Sequence, residues 1–162
     1  AQVILRYLRM GYLWDSVRVK GGAYGVSCRL GRSTGNFVCT SYRDPNVSGT
    51  ISAYDGIADY LSGMSLNREE LERAIVGAIG DLDLYMLPDA RGVKSLYQYL
   101  AGDTEEKRQR MREEMLSTTA DDFRAFAGIM AEAKTHGAVS VIGGSRALEE
   151  GTRLGWKCEN LF

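Results

Sequence analysis

Val17-Arg18-Val19-Lys20-Gly21-Gly22-Ala23-Tyr24-Gly25-Val26-Ser27-Cys28-Arg29-Leu30 contains the change of period that decides the fold. Upstream of it, Val3, Ile4, Leu5, Leu8 and Leu13 run at helical spacing, so residues 1–17 read as one amphipathic helix. That helix closes near Lys20-Gly21-Gly22, because glycine enters left-handed backbone at no steric cost. From Tyr24 the period becomes two: Tyr24, Val26, Cys28 and Leu30 alternate with Gly25, Ser27 and Arg29, as in a half-buried strand. Residues 31–35 form a polar turn and 36–40 return as a second strand, closing a β-hairpin with a loop of about five residues.

Further along, Asp44-Pro45-Asn46 is a turn, since proline fixes φ and disfavours helix in the residue before it. A helix over about 48–61 follows, with Ile51, Tyr54, Ile57, Ala58 and Leu61 on one face. Asn67 opens another, with Glu70 placed to complete a capping box and a stripe of Leu71, Ile75, Ala78, Ile79 and Leu82. Pro88 starts a helix carrying Val93, Leu96, Tyr97 and Leu100. Residues 105–114 are dense in both charges, with Glu106/Arg110 and Glu105/Arg108 at supporting spacings, and read as a solvated helix face. Thr119 and Asp122 cap a helix whose buried stripe is Phe123, Phe126, Ala127 and Met130, and His136-Gly137 ends it. Residues 138–142 read as a short apolar strand, Gly143-Gly144-Ser145 leads to a last helical turn, and the tail shows no pattern. The fold class is α+β, with helices packed on one face of a small, mostly antiparallel sheet. Two or three visible strands are few for this many helices, so further strands are expected upstream of residue 1.

With 162 residues, 44% of them apolar and 25% charged, the chain is expected to be one globular domain with its own core. A formal charge of −1 argues against a nucleic-acid partner. No apolar run is long enough to span a membrane, and the opening residues lack the order of a secretory signal. Cys28, Cys39 and Cys158 include no C-x-x-C pair and are expected as three reduced thiols. Asn46-Val47-Ser48 matches a glycosylation acceptor by chance in this setting. The first residue is Ala1 rather than methionine and already lies in helical periodicity, as in a piece of a longer polypeptide.

No catalytic set is complete. His136 is the only histidine, so neither H-E-x-x-H nor H-x-x-E-H can be written, and its place before a glycine suits a helix-end role. A serine or cysteine nucleophile would need that same histidine, and no G-x-S-x-G turn marks one. Asp81 and Asp83, two apart on a helix, face different ways. Neither diglycine matches a phosphate-binding loop. The stretch that stands out is Leu13 to Gly25, where a diglycine turn joins a helix-end guanidinium, Arg18, to a strand-start phenol, Tyr24. Arg18 offers a fork of donors for a carbonyl or carboxylate, and Tyr24 one directed hydroxyl, a pairing suited to a peptide backbone or an oxyanion. Spacing alone favours a plainer reading, with Arg18 paired to Asp15 and Tyr24 a core residue beside Val26 and Cys28.

Trp14-Asp15-Ser16-Val17-Arg18 followed by Gly21-Gly22-Ala23-Tyr24-Gly25 resembles the last domain of the presequence proteases, in the pitrilysin and insulinase group of inverzincins. The similarity continues through Ser41-Tyr42-Arg43-Asp44-Pro45-Asn46, Tyr54-Asp55-Gly56, Ala74-Ile75-Val76-Gly77, Ile79-Gly80-Asp81, Leu87-Pro88-Asp89-Ala90 and 108–114. It covers nearly the whole chain to about Ser140; the tail after Gly144 does not align. The resemblance implies a four-domain zinc metallopeptidase that degrades unstructured peptides in a closed chamber. In that family zinc and its H-x-x-E-H motif belong to the first domain, so none is expected in this chain, which by itself should be inactive. The resemblance also implies that Arg18 and Tyr24 contact the substrate near the scissile bond, with Gly22 and Ala23 of the same turn beside the peptide. The implied partners are peptide substrates and the remaining domains of the parent chain, and an incomplete sheet would expose an edge open to a non-native dimer. The compartment implied is the cytoplasm of a bacterium or an organelle matrix of a eukaryote. The competing reading is a non-catalytic peptide-binding module or inactive subunit of the same fold.

Overall fold

Gly11 interrupts what the periodicity alone presents as one helix. In the computed structural model, which describes residues 1–31 and 34–160, helix α1 spans Gln2–Met10 and stops at Gly11, with φ −115° and ψ −95°. The chain resumes as a π-helix over Trp14–Lys20. The wider π turn still directs Leu13 and Val17 inward, so both pieces bury the stripe expected of them. π segments are rare in soluble proteins and concentrate near functional sites.

Strands β1 (Gly25–Leu30) and β2 (Phe37–Tyr42) form the antiparallel hairpin, registered from Gly25 opposite Tyr42 to Leu30 opposite Phe37. Of the expected five-residue turn, Arg32 and Ser33 lie outside the described residues. Strand β1 packs against α1, and Cys28 Sγ donates to the Leu5 carbonyl across that contact.

The expected helix over 48–61 is instead two, α2 (Val47–Asp55) and α3 (Ile57–Gly63). The break has a tertiary cause. Tyr12 reaches across, donates its hydroxyl to the Ala53 carbonyl at 2.9 Å and stacks on Tyr60. A Cβ at Gly56 would meet that same hydroxyl at 2.6 Å. Asn46 caps α2 by accepting from the Gly49 N–H.

Helix α4 (Arg68–Leu82) begins with the capping box expected from Asn67 and Glu70. Arg6 and Arg9 of α1 both reach Asp81 of α4, at 3.2 and 3.1 Å. Helix α6 (Glu105–Leu116) is solvated as expected, burying only Met115. Two of its arginines reach beyond the helix, however. Arg108 donates to the Asp103 carbonyl, and Arg112 pairs with Asp83 beyond the end of α4. Asp81 and Asp83 are thus separate arginine partners.

Helix α7 (Ala120–His136) carries the Thr119/Asp122 capping box and buries Phe123, Phe126, Ala127 and Met130, the expected stripe. It packs along α3, and Phe123 meets the Tyr7 ring edge-on at 5.5 Å. Helix α5 (Pro88–Leu100) differs from this pattern, because Val93, Leu96, Tyr97 and Leu100 all face solvent. Residues 138–142 are not a strand. They run as irregular backbone from α7 to α8 (Ser145–Arg153), with Val139, Val141 and Ile142 exposed. A β-branched run becomes a strand only when an edge pairs with it, and here none does. Helix α8 is also longer than the single turn expected, and it docks on α2 through the Ser48 N–H and Glu150.

Candidate functional site at the helix to strand turn

The turn that joins the π-helix to β1 is held from three sides. Gly22 N–H donates to the Arg18 carbonyl at 3.0 Å and Ala23 N–H to the Val17 carbonyl at 3.1 Å, which folds the turn back on the helix. Tyr24 N–H is shared between the carbonyls of Tyr42 and Arg43, at 3.1 and 3.3 Å, which ties it to the end of β2.

The two glycines have different reasons to be there. Gly22 has φ +81°, where other side chains are strained, and it sits against the Pro45 ring. Gly21 is right-handed, but a Cβ there would come within 2.5 Å of the Val17 carbonyl oxygen. Ala23 is buried and serves as the inner anchor of the turn.

Arg18 is half-buried at the last turn of the π-helix, with its guanidinium 4.0 Å from the centroid of the Trp14 ring. Among the described residues this stacking stands in place of the expected pair with Asp15. A guanidinium stacked by its face keeps its edge donors available for a planar acceptor.

The core reading of Tyr24 is overturned. Its side chain is 65% exposed, one residue ahead of β1. The ring is nonetheless fixed, lying edge-on to Tyr42 at 6.1 Å with the Arg43 guanidinium 5.7 Å from its centroid. The same guanidinium lies 5.4 Å from the Tyr42 centroid. The result is a phenol presented to solvent beside a second ring, with the Arg43 guanidinium within 6 Å of both. Tyr42 and Arg43 were not singled out as site residues from the sequence. They reach Tyr24 through the strand register, in which Tyr42 stands opposite Gly25.

The family model described as PreP C-terminal domain matches residues 1–145. The chain belongs to that family. The chain is 50% identical over 127 residues to presequence protease 1, chloroplastic/mitochondrial, of Arabidopsis thaliana, covering 78% of this chain and 12% of that protein. It is 35% identical over 120 residues to the mitochondrial presequence protease of Aspergillus oryzae, covering 74% and 11%. It is 33% identical over 147 residues to protein HypA of Clostridium perfringens, covering 91% and 15%. The chain therefore spans only about a tenth to a seventh of the length of these relatives.

Among the described residues no three or more of His, Cys, Asp and Glu come together to hold a metal ion. His136 is exposed at the end of α7. Cys28 and Cys39 face each other across the hairpin as free thiols, and burial pushes them up to about 11 and about 12, far from a reactive thiolate. Cys158 is free and exposed. No helix among the described residues is long and apolar enough to cross a membrane.

Proposed function

We propose that this domain is the substrate-contacting C-terminal part of a zinc-dependent metalloendopeptidase that degrades unstructured peptides in a closed chamber. The observation that carries the proposal is the exposed, ring-clamped Tyr24 phenol at the helix to strand turn, in a chain whose relatives are named presequence proteases. Tyr24 donates its hydroxyl to a peptide carbonyl beside the scissile bond, where a preorganised donor gains strength as negative charge develops. Arg18 binds the backbone of the same peptide through its donor fork, and Gly22 and Ala23 form the wall the backbone passes. Zinc is held by another part of the longer polypeptide, and no step of this domain runs through it. The compartment is an organelle matrix for a eukaryotic source and the cytoplasm for a bacterial one.

The test compares the 162-residue chain with its full-length polypeptide, measuring bound zinc and cleavage of one fluorogenic unstructured peptide. The expected result is zinc and turnover in the full-length polypeptide and neither in the 162-residue chain. A full-length polypeptide that is silent and zinc-free would assign the domain to a non-catalytic peptide-binding module.

A further inference from the structure

Arg6 and Arg9 stand three apart on α1 and share a face, a spacing at which like charges repel. Arg29 of β1 joins them, because β1 packs against α1. All three line a cavity of about 470 Å³ between α1, β1, α4 and α6, and Asp81 is the one carboxylate that lines it among the described residues. The cavity therefore holds positive charge in excess. Asp81 does not use up the donors. Arg9 donates to its Oδ2 at 3.1 Å. The Nε of Arg6 lies 3.2 Å from the same oxygen but makes no hydrogen bond with it, and this buried atom has no other partner among the described residues. Arg29 is exposed, and its side chain has no ion pair or hydrogen bond among the described residues. The Arg6 guanidinium is nonetheless held in place. It rests on the α4 backbone at Gly77, where a Cβ would come within 2.4 Å of its Cζ. A buried donor on a charged group is costly to leave unmade, so native structures rarely leave one.

We propose that this cavity binds a small carboxylate that carries an apolar body. The head follows from the unused donors. The edge of a guanidinium matches the two oxygens of a carboxylate, and such charge-assisted pairs are the strong ones. With Arg9 bonded to Asp81, the free donors belong to Arg6 and Arg29, on two different elements that both line the cavity. The body follows from the remaining walls. Leu5, Leu82, Met111 and Met115 line the same space, and beyond the charged groups Gln2 is the one polar side chain other than the Cys28 thiol. A phosphate or sulfate would turn its further oxygens against that apolar wall, where each costs free energy without a donor. A carboxylate has no further oxygens to satisfy. The volume falls within the range of small-molecule sites, about 300–1,000 Å³, which are mostly apolar with a few convergent polar groups. An Asp or Glu side chain from elsewhere in the longer polypeptide would supply the head but leave most of that volume empty. The excess positive charge also draws anions toward the opening.

This site is separate from the helix to strand turn, and its test reads binding without turnover, so it stands or falls independently of the peptidase reading. Calorimetric titrations are run on the full-length polypeptide and on the 162-residue chain. The probes are decanoate below its micellar concentration, N-acetyl-trileucine with a free carboxylate, the amide of that tripeptide, and inorganic phosphate. The expected result is saturable binding of at least one of the two carboxylates to both proteins, at least about tenfold tighter than the amide or phosphate, and weakened at least about tenfold by Arg29→Gln. Arg29 has no ion pair to lose, so that variant should melt with the unsubstituted protein. Asp81→Asn removes the competing carboxylate and should tighten binding several-fold, the reverse of what lost packing would do. Binding of decanoate alone assigns the site to acyl chains, and binding of the tripeptide acid alone assigns it to peptide C-termini. Binding of both assigns it to the carboxylate on any apolar body, and each of these supports the proposal. No binding of either carboxylate overturns it, as does equal binding of the amide or of phosphate, or affinity that Arg29→Gln leaves unchanged. Binding to the 162-residue chain but not to the full-length polypeptide also overturns it, and assigns the free donors to a side chain from the rest of the polypeptide.

Discussion

Replacing Tyr24 with phenylalanine in the full-length polypeptide is expected, on the proposed function, to lower kcat/KM on an unstructured peptide by about a hundredfold, the scale of losing one preorganised oxyanion donor. The substitution removes one oxygen and keeps the ring. The edge-on contact with Tyr42 and the Arg43 guanidinium over the ring therefore remain, and thermal stability should not move. If the hydroxyl meets charge that develops only in the transition state, the loss falls on kcat. If it merely holds the substrate, KM rises and kcat stays. Unchanged kcat/KM would remove Tyr24 from the mechanism and leave it as a surface ring.

Phe123→Ala is expected to cost the 162-residue chain about 3–5 kcal/mol in urea unfolding. Phe123 is 1% exposed, sits in the contact between α3 and α7, and meets Tyr7 of α1 edge-on. Truncating it empties the place where three helices meet, and its neighbours are too closely packed to collapse fully into the space. Ile129→Ala, at an exposed position of the same helix, is the control and should change stability by no more than about 0.5 kcal/mol. A loss of about 1 kcal/mol or less at Phe123 would mean that the α3 and α7 contact does not hold the domain together.

Elements whose determinants are local in sequence were legible there. The Asn67/Glu70 and Thr119/Asp122 capping boxes, the buried stripe of α7 and the hairpin after the diglycine all follow from spacings of a few residues. The misreadings have non-local causes. Gly56 divides a helix because Tyr12, more than forty residues away, occupies the space beside it. Residues 138–142 have strand composition but no paired edge, and composition cannot supply one. The apolar face of α5 shows helical spacing, yet spacing does not say what lies opposite, and here it is solvent.

The candidate site was legible to a different degree. Arg18 and Tyr24 were marked by resemblance, while spacing pointed to an ion pair and a core tyrosine. Spacing failed because Tyr24 precedes the strand instead of belonging to it, so the alternation of β1 does not set its face. Tyr42 and Arg43 reach Tyr24 only through the pairing of β2 with β1, a relation the linear sequence does not display.

The most direct test of the account is photo-cross-linking. An unstructured peptide carrying a photoreactive group at its centre is irradiated with the full-length polypeptide, and the adducts are mapped by mass spectrometry. The account predicts adducts within residues 18–24, lost when an excess of unlabelled peptide competes. Competable adducts confined to other parts of the polypeptide, with none in 18–24, would contradict it.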